Sequence, residues 1–191
     1  MRPPFEPDYP AATRRAMQRW PDVPAVCGWL RLDRRGRWFV RDGEVTHAGA
    51  LTFLNANYGA DAEGRWFVQN GPQRAFVDLD LAPWVLQLGA DDRLYTHTGR
   101  VVENPWALVP TDEGDLCLAF DLGLGNLLDR DLQAFTARLT PCAGGPGIEH
   151  LLLGGTSGLL RFGPCLLEVS PSSALALPGR FGFVRTPEFL P

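Results

Sequence analysis

Two stretches of the chain read almost alike, Gly36-Arg-Trp-Phe-Val-Arg-Asp-Gly43 and Gly64-Arg-Trp-Phe-Val-Gln-Asn-Gly71. Another interval of the same length leads to a weaker copy, Asp92-Arg-Leu-Tyr-Thr-His-Thr-Gly99. Each copy reads as a strand closed by a tight turn: aromatic and β-branched residues suit a pleated surface, and Asp-Gly or Asn-Gly suits the reversal. A hairpin cannot bury its apolar side alone, so hairpins of this kind must pack together or against helices.

Outward from this motif the β pattern continues. Cys27-Gly-Trp-Leu-Arg-Leu32 alternates, Asp33-Arg-Arg-Gly36 supplies a turn and Arg37 to Arg41 returns. Ala50, Leu51, Leu54 and Tyr58 fall at helical spacing behind a possible cap at Thr46, with Gly59 where a C-terminal glycine belongs. This predicts a helix over about 46–58. Upstream, Ala11 to Trp20 reads as a short helix behind a loose, Pro-rich arm. Downstream, Gln73 to Leu81, Trp84 to Leu88 and Leu116 to Leu122 read as strands. Asn126 reads as the cap of a second helix over about 126–139, with Leu128, Leu132, Phe135 and Leu139 as its stripe. Short strands are expected at 151–153, 159–162, 165–169 and 181–185, ahead of a poorly ordered end.

Strands in runs with helices in the gaps indicate an α+β fold. The expected form is two small modules of antiparallel sheet, each packing one helix, with the strand-turn motif repeated. The boundaries read as an arm over 1–24, a hairpin and helix module over 25–61, a strands and helix module over 62–163, and C-terminal strands and tail over 164–191.

Composition narrows the function classes. The chain has 191 residues, 45% of them hydrophobic, and a net charge of −4. All of its basic residues are Arg. Overall acidity argues against nucleic acid, although Arg14, Arg15, Arg19, Arg31, Arg34, Arg35, Arg37 and Arg41 interleave with Trp20, Trp29 and Trp38 in a pattern that suits an acidic protein partner. No apolar run is long enough for a membrane span and the N-terminus lacks a signal-peptide pattern, so a cytoplasmic protein is expected. Cys27, Cys117, Cys142 and Cys165 then read as free buried thiols.

Catalytic and metal patterns are weak. The cysteines and His47, His97 and His150 lack the close pairing of a metal site, and no cofactor is expected. Ser157, between Gly154-Gly-Thr and Gly158, has Leu159 where a nucleophile elbow needs glycine. Asp78 and Asp80 share a strand face and read as solvated acids. Gly123, Gly125 and Asn126 resemble an anion-binding turn at a helix start, although Leu128 stands where the dinucleotide fingerprint has its third glycine.

The run from Cys27-Gly28 through Gly36-x-Trp38-Phe39 and Glu63-Gly64-x-Trp66-Phe67 to Asp80-x-Ala82-Pro83-Trp84, with Leu127 to Leu139 and Gly155-Thr-Ser-Gly158, resembles the proteobacterial domain-of-unknown-function family 1285 or a sister family. The resemblance spans roughly residues 25–163. It implies two modules built on a related α+β motif and no known activity, with ligand binding or signalling as the suspected role. The reading reached is a non-catalytic binding or regulatory module for a small molecule or a protein partner. The alternatives are an interaction subunit using the Arg-rich half and an enzyme of unrecognised type. Arg74 and Trp84, on strands expected to flank a crevice between the modules, and His97 are the candidate ligand contacts, the first two as a charged donor and an aromatic face.

Overall fold

In the computed structural model, which describes residues 5–21 and 23–188, one kind of turn recurs. Its first residue accepts a hydrogen bond from the amide of the fourth and donates its own to the carbonyl of the fifth, as in Asp33–Arg37 and Asp61–Arg65. The fourth residue is left-handed, at φ 75° in Gly36 and 77° in Gly64. This is the three-residue hairpin loop that ends in a left-handed position. The aspartates tighten it. Asp33 Oδ1 accepts from the amides of Arg35 and Arg37 at 2.9 and 2.8 Å, while Arg37 Nε reaches Oδ2 at 2.7 Å. Asp61 does the same with Glu63, Arg65 and Arg65 Nε at 3.1, 2.9 and 2.8 Å. Trp38 and Trp66 follow these turns and both are buried, packed on Tyr58 at 5.3 and 4.8 Å between ring centroids.

The chain divides into two compact units, Met1–Leu81 with Gly182–Pro191, and Ala82–Phe181. The seams expected at 61/62 and 163/164 each fall inside a hairpin, where ladder bonds tie the flanking residues together.

Unit 1 holds α1 (Ala11–Arg19), β1 (Val26–Leu32), β2 (Trp38–Val40), β3 (Gly43–Glu44), α2 (Ala48–Ala56), β4 (Tyr58–Ala60), β5 (Trp66–Asn70) and β6 (Gln73–Leu79). Its sheet runs β3-β2-β1-β6-β5-β4. It is mixed, since β1 and β6 run parallel, with a register shift between Val26 and Leu30. Leu30, Leu32, Val77 and Leu79 supply much of its core. Helix α2 is where periodicity puts it, but its cap is His47, whose ring accepts from Ala50 N, in place of Thr46. Gly59 belongs to β4 and is not a helix cap; a Cβ there would lie 2.7 Å from Phe5 O. Phe5 exchanges both backbone hydrogen bonds with Ala60, so the arm is held from Phe5 onward. Residues 1–4, the start of that expected arm, lie outside the described residues. The far end of the chain returns to this unit: Val184 bridges Arg65 and Leu79 N donates to Arg185 O. The strand expected at 181–185 is thus a single bridge after a helix. The poorly ordered end expected beyond it falls partly on 189–191, outside the described residues.

Unit 2 holds β7 (Trp84–Leu88), β8 (Leu94–Thr96), β9 (Ala107–Pro110), β10 (Leu116–Phe120), β11 (Gly123–Leu127), α3 (Leu132–Thr136), β12 (Leu139–Pro141), α4 (Ile148–Leu153), β13 (Gly158–Phe162), β14 (Cys165–Val169) and α5 (Leu177–Phe181). The order is β12-β13-β14-β9-β10-β11-β7-β8, with β14–β9 and β11–β7 parallel. The fold is α+β, and both sheets are mixed where antiparallel ones were expected. The helix expected over 126–139 is cut to its middle, residues 129–136, and both of its expected ends are strand or turn. Gly123 to Leu127 form a wholly buried strand, paired with β10 from Gly123 to Asn126 and with β7 from Gly125 to Leu127, so ladder bonds on both sides claim its backbone groups. A short 3₁₀ turn at 129–131 and five-residue α3 follow, and Leu139 already belongs to β12. The expected strand at 151–153 is the end of α4, whose buried residue is Leu151.

Candidate functional site

The residues singled out from sequence fall in different surroundings. Arg74 lies in unit 1, its guanidinium 4.5 Å from the Phe67 ring and its Nε 3.4 Å from Gln69 Oε1. Its charge reaches Tyr9, whose phenol is pushed up to about 12, first by burial and then by Glu6, with Arg74 opposing. Trp84 lies in unit 2 with no exposed surface and donates from Nε1 to Leu122 O at 2.8 Å. His97 packs on it at 5.7 Å. Val85 N donates to His97 Nδ1 at 3.3 Å, and His97 N donates to Val85 O at 2.7 Å. That contact leaves the ring proton on Nε2, and burial lowers the imidazole to about 3. Trp84 and His97 therefore come together, while Arg74 belongs to the other unit.

The expected anion turn at Gly123, Gly125 and Asn126 is corrected by the strand that contains it: no helix starts there. Gly125 serves close strand approach, because a Cβ would lie 2.7 Å from Leu86 Cγ. Of the four thiols, all free, only Cys117 is buried; Cys27, Cys142 and Cys165 are half-buried. Asp78 and Asp80 part company, since Asp80 pairs with Arg31 at 2.8 Å. Asp78 is raised above its usual value by burial, then by Asp80, with Arg31 opposing. Trp20 and Trp29 of the Arg-rich half are each about half exposed beneath a guanidinium, from Arg19 and Arg41. Among the described residues no group of three His, Cys, Asp or Glu is arranged to hold a metal ion. No helix among them is long and apolar enough to cross a membrane.

One site is a cleft that sequence reasoning missed. A cleft of about 450 Å³ in unit 2 is built from the turn before β8, the 102–105 loop, the end of α3 and the β13–β14 turn. Leu94 and Pro105 are buried in its floor, with Val102 and Phe162 half-buried beside them. Phe162 is braced from behind by Phe135 of α3 at 4.9 Å. Arg93, Arg138 and Asn104 stand at the mouth, with the Cys165 thiol on the wall. Arg138 is held by Asp92 Oδ1, 2.7 Å from its Nε, and donates from Nη1 to Ala134 O. Asp92 and Asn104 both have left-handed backbones, at φ 62° and 46°. Asn104 Nδ2 is fixed on Asp121 at 2.8 Å.

One signal for this cleft was readable. Its first wall is the same turn as Asp33–Arg37 and Asp61–Arg65, with Gly89 in the place of the aspartate: Gly89 N donates to Arg93 O, and Asp92 N to Gly89 O. In unit 1 the fifth-position arginines close on their own aspartates. Gly89 offers no carboxylate, and Arg93 lines the cleft instead.

Comparison with solved structures finds a DUF1285 family protein from Silicibacter pomeroyi at TM-score 0.56 and 11% identity, covering 87% of this chain and 90% of that one. A DUF1285 family protein from Shewanella baltica matches at TM-score 0.44 and 14% identity, over 58% of this chain and 91% of that one. The first likeness is one of fold, in agreement with the resemblance read from the motifs. No curated protein matches. A family model described as "Protein of unknown function (DUF2946)" matches residues 11–188, and the chain belongs to that family.

Proposed function

We propose that the protein is a non-catalytic binding module whose unit 2 cleft takes a small molecule with an apolar body and an anionic head. The observation that carries this reading is the pairing of an apolar floor, Leu94 and Phe162, with two guanidinium groups at the rim, one of them oriented in advance by Asp92. Arginine suits carboxylate and phosphate because its planar fork donates two parallel hydrogen bonds, and a donor already held in place loses less freedom on binding. A cleft of a few hundred Å³ that is mostly apolar with few convergent polar groups is the usual form of a small-molecule site. The lining holds no histidine and no carboxylate apart from Asp92, which is engaged by Arg138. The groups present thus suit recognition better than proton transfer.

The test is calorimetric titration with octanoate, an aromatic carboxylate and an alkyl phosphate, each against its uncharged alcohol. The charged members are expected to bind and the alcohols to bind about tenfold more weakly or not at all. Arg138→Ala and Arg93→Ala should each weaken binding by about tenfold, the cost of one charge-assisted contact. Equal affinity for acid and alcohol, or affinity that survives both substitutions, would overturn the reading.

A further inference from the structure

On another side of α3 lies a second, larger recess. A depression of about 730 Å³ is lined by the Thr111–Asp115 turn, Leu116, Leu132 and Pro171 to Ser173. A second, of about 520 Å³, is lined by Gln133, Ala137, Ile148 and Glu149. Thr136, Leu152 and Leu153 line both, so the two depressions are adjoining halves of a channel along α3 and α4. Leu153 is 81% exposed and Leu152 is half-buried. An exposed leucine beside a half-buried one where two recesses adjoin is an unusual use of surface in a chain of this size and marks an interaction site more often than an isolated apolar residue does.

The charged side chains that line the channel have one sign, with Arg138 and Arg180 bonded just outside it, to Ala134 O and Ser170 O. Asp112, Asp115 and Glu149 line it and no arginine does. Asp112 is fixed in place, its Oδ1 accepting from Ala174 N at 2.8 Å. We infer that this channel docks a cationic amphipathic segment of a partner protein, with leucine-like anchors seated between α3 and α4 and Arg or Lys side chains over the acidic rim. Charge complementarity selects this occupant: an acidic or neutral segment gains nothing from the three carboxylates, whereas a basic one is both steered and held by them. A helix that places apolar residues at i, i+3, i+4 and i+7 fits a groove of this kind. The channel shares no lining residue with the cleft proposed above, so each site stands or falls by itself.

The probe is a fluorescent amphipathic peptide of about 14 residues with Leu at those anchor positions and Arg elsewhere on its polar face. Its counterparts carry Glu for Arg, or the same residues scrambled. The native chain is expected to bind the basic peptide at least about tenfold more tightly than either counterpart. Leu153→Arg, at a position too exposed to threaten folding, should weaken that binding by about tenfold, and Glu149→Arg by a smaller factor while strengthening the acidic peptide. Indistinguishable binding of the three peptides would overturn the proposal, as would indifference to both substitutions. Sedimentation as a dimer that Leu153→Arg converts to monomer would assign the channel to a second copy and equally overturn it.

Discussion

The turns of unit 1 and the first turn of unit 2 share one backbone and differ in one side chain. At Asp33 and Asp61 a carboxylate, 8% and 7% exposed, takes two backbone amides and the following arginine. At Gly89 there is no carboxylate, and the space it would need is taken by Asp91 and Tyr95, within 2.7 Å of where a Cβ would stand. The difference teaches that a conformation can be kept while its side-chain chemistry is released for another use. Unit 1 ties its turn arginines into structure, whereas unit 2 presents the corresponding arginine at a cleft.

The largest expected effect separates turns that a neighbour closes from turns left open. A Cβ on Gly64 would stand 2.4 Å from Gly182 O, a backbone atom, at φ 77°. On Gly114, at φ 86°, it would meet nothing within 4 Å. Gly64→Ala should therefore cost about 3 kcal/mol or more, and Gly114→Ala about 1 kcal/mol, the strain of a left-handed alanine alone. Urea denaturation of both variants checks this, and equal midpoints would mean that the segment after Gly182 does not close the turn.

A smaller effect tests the arginines themselves. Arg65→Ala leaves the almost buried Asp61 without its ion-pair partner and should lower stability by about 2 kcal/mol, softened by the two amides that Asp61 keeps. Arg93→Ala removes no such partner and should stay within about 0.5 kcal/mol. If the two cost the same by denaturation, Arg93 is structural and the contrast fails.

The smallest effect is a difference in pH response. His97 of unit 2 is pushed down by burial to about 3, against an ordinary 6.5. The unfolded chain then takes up a proton that the folded chain refuses, so unit 2 loses stability as pH falls from about 6.5 toward 3. Between pH 7 and 5 the loss should reach about 1 kcal/mol, under the full linkage slope because the residue keeps some exposure. Asp78 of unit 1 has the opposite sign. Its raised value means that the folded chain holds the proton more tightly than the unfolded one, so this contribution grows as pH falls into the carboxylate range and is lost as pH rises out of it. Hydrogen exchange at Val85 and Val77 between pH 7 and 5 should show protection falling at the first and not at the second. His97→Gln should flatten the first response and Asp78→Asn the second, and parallel profiles in the native chain would refute the assignment.

The legible part of the fold was the part set by local chemistry. Asp33-x-x-Gly36 spells its turn, Trp38 and Trp66 spell core, and β7, β10, β13 and β14 lie close to where alternation puts them. The misreadings arose where tertiary context outweighs local signal. Gly123-Leu-Gly-Asn126 has the composition of a helix start, yet two neighbouring strands compete for its backbone groups and Leu86 needs the room at Gly125. Leu151 to Leu153 is too short for its period to tell strand from helix. Helix α2 came out correctly while its cap did not, because His47 caps as well as Thr46 could. The cleft was hidden for another reason. Arg93 and Asn104 meet Arg138 and Cys165 only through the register of the eight-stranded sheet. Only the change from Asp61 to Gly89 at matching turn positions hinted that Arg93 had been set free.

The return of the chain's last segment to unit 1 has a consequence for synthesis. Unit 2 is one uninterrupted stretch, whereas unit 1 lacks the partners of Arg65 and Leu79 until Val184 and Arg185 have left the ribosome. Domains generally fold in the order in which they emerge; here the unit begun first is completed last. Until then its incomplete sheet must persist while the inserted unit is made. A folded unit 2 then shortens the free loop across which those final contacts close, and lowers the entropy they cost.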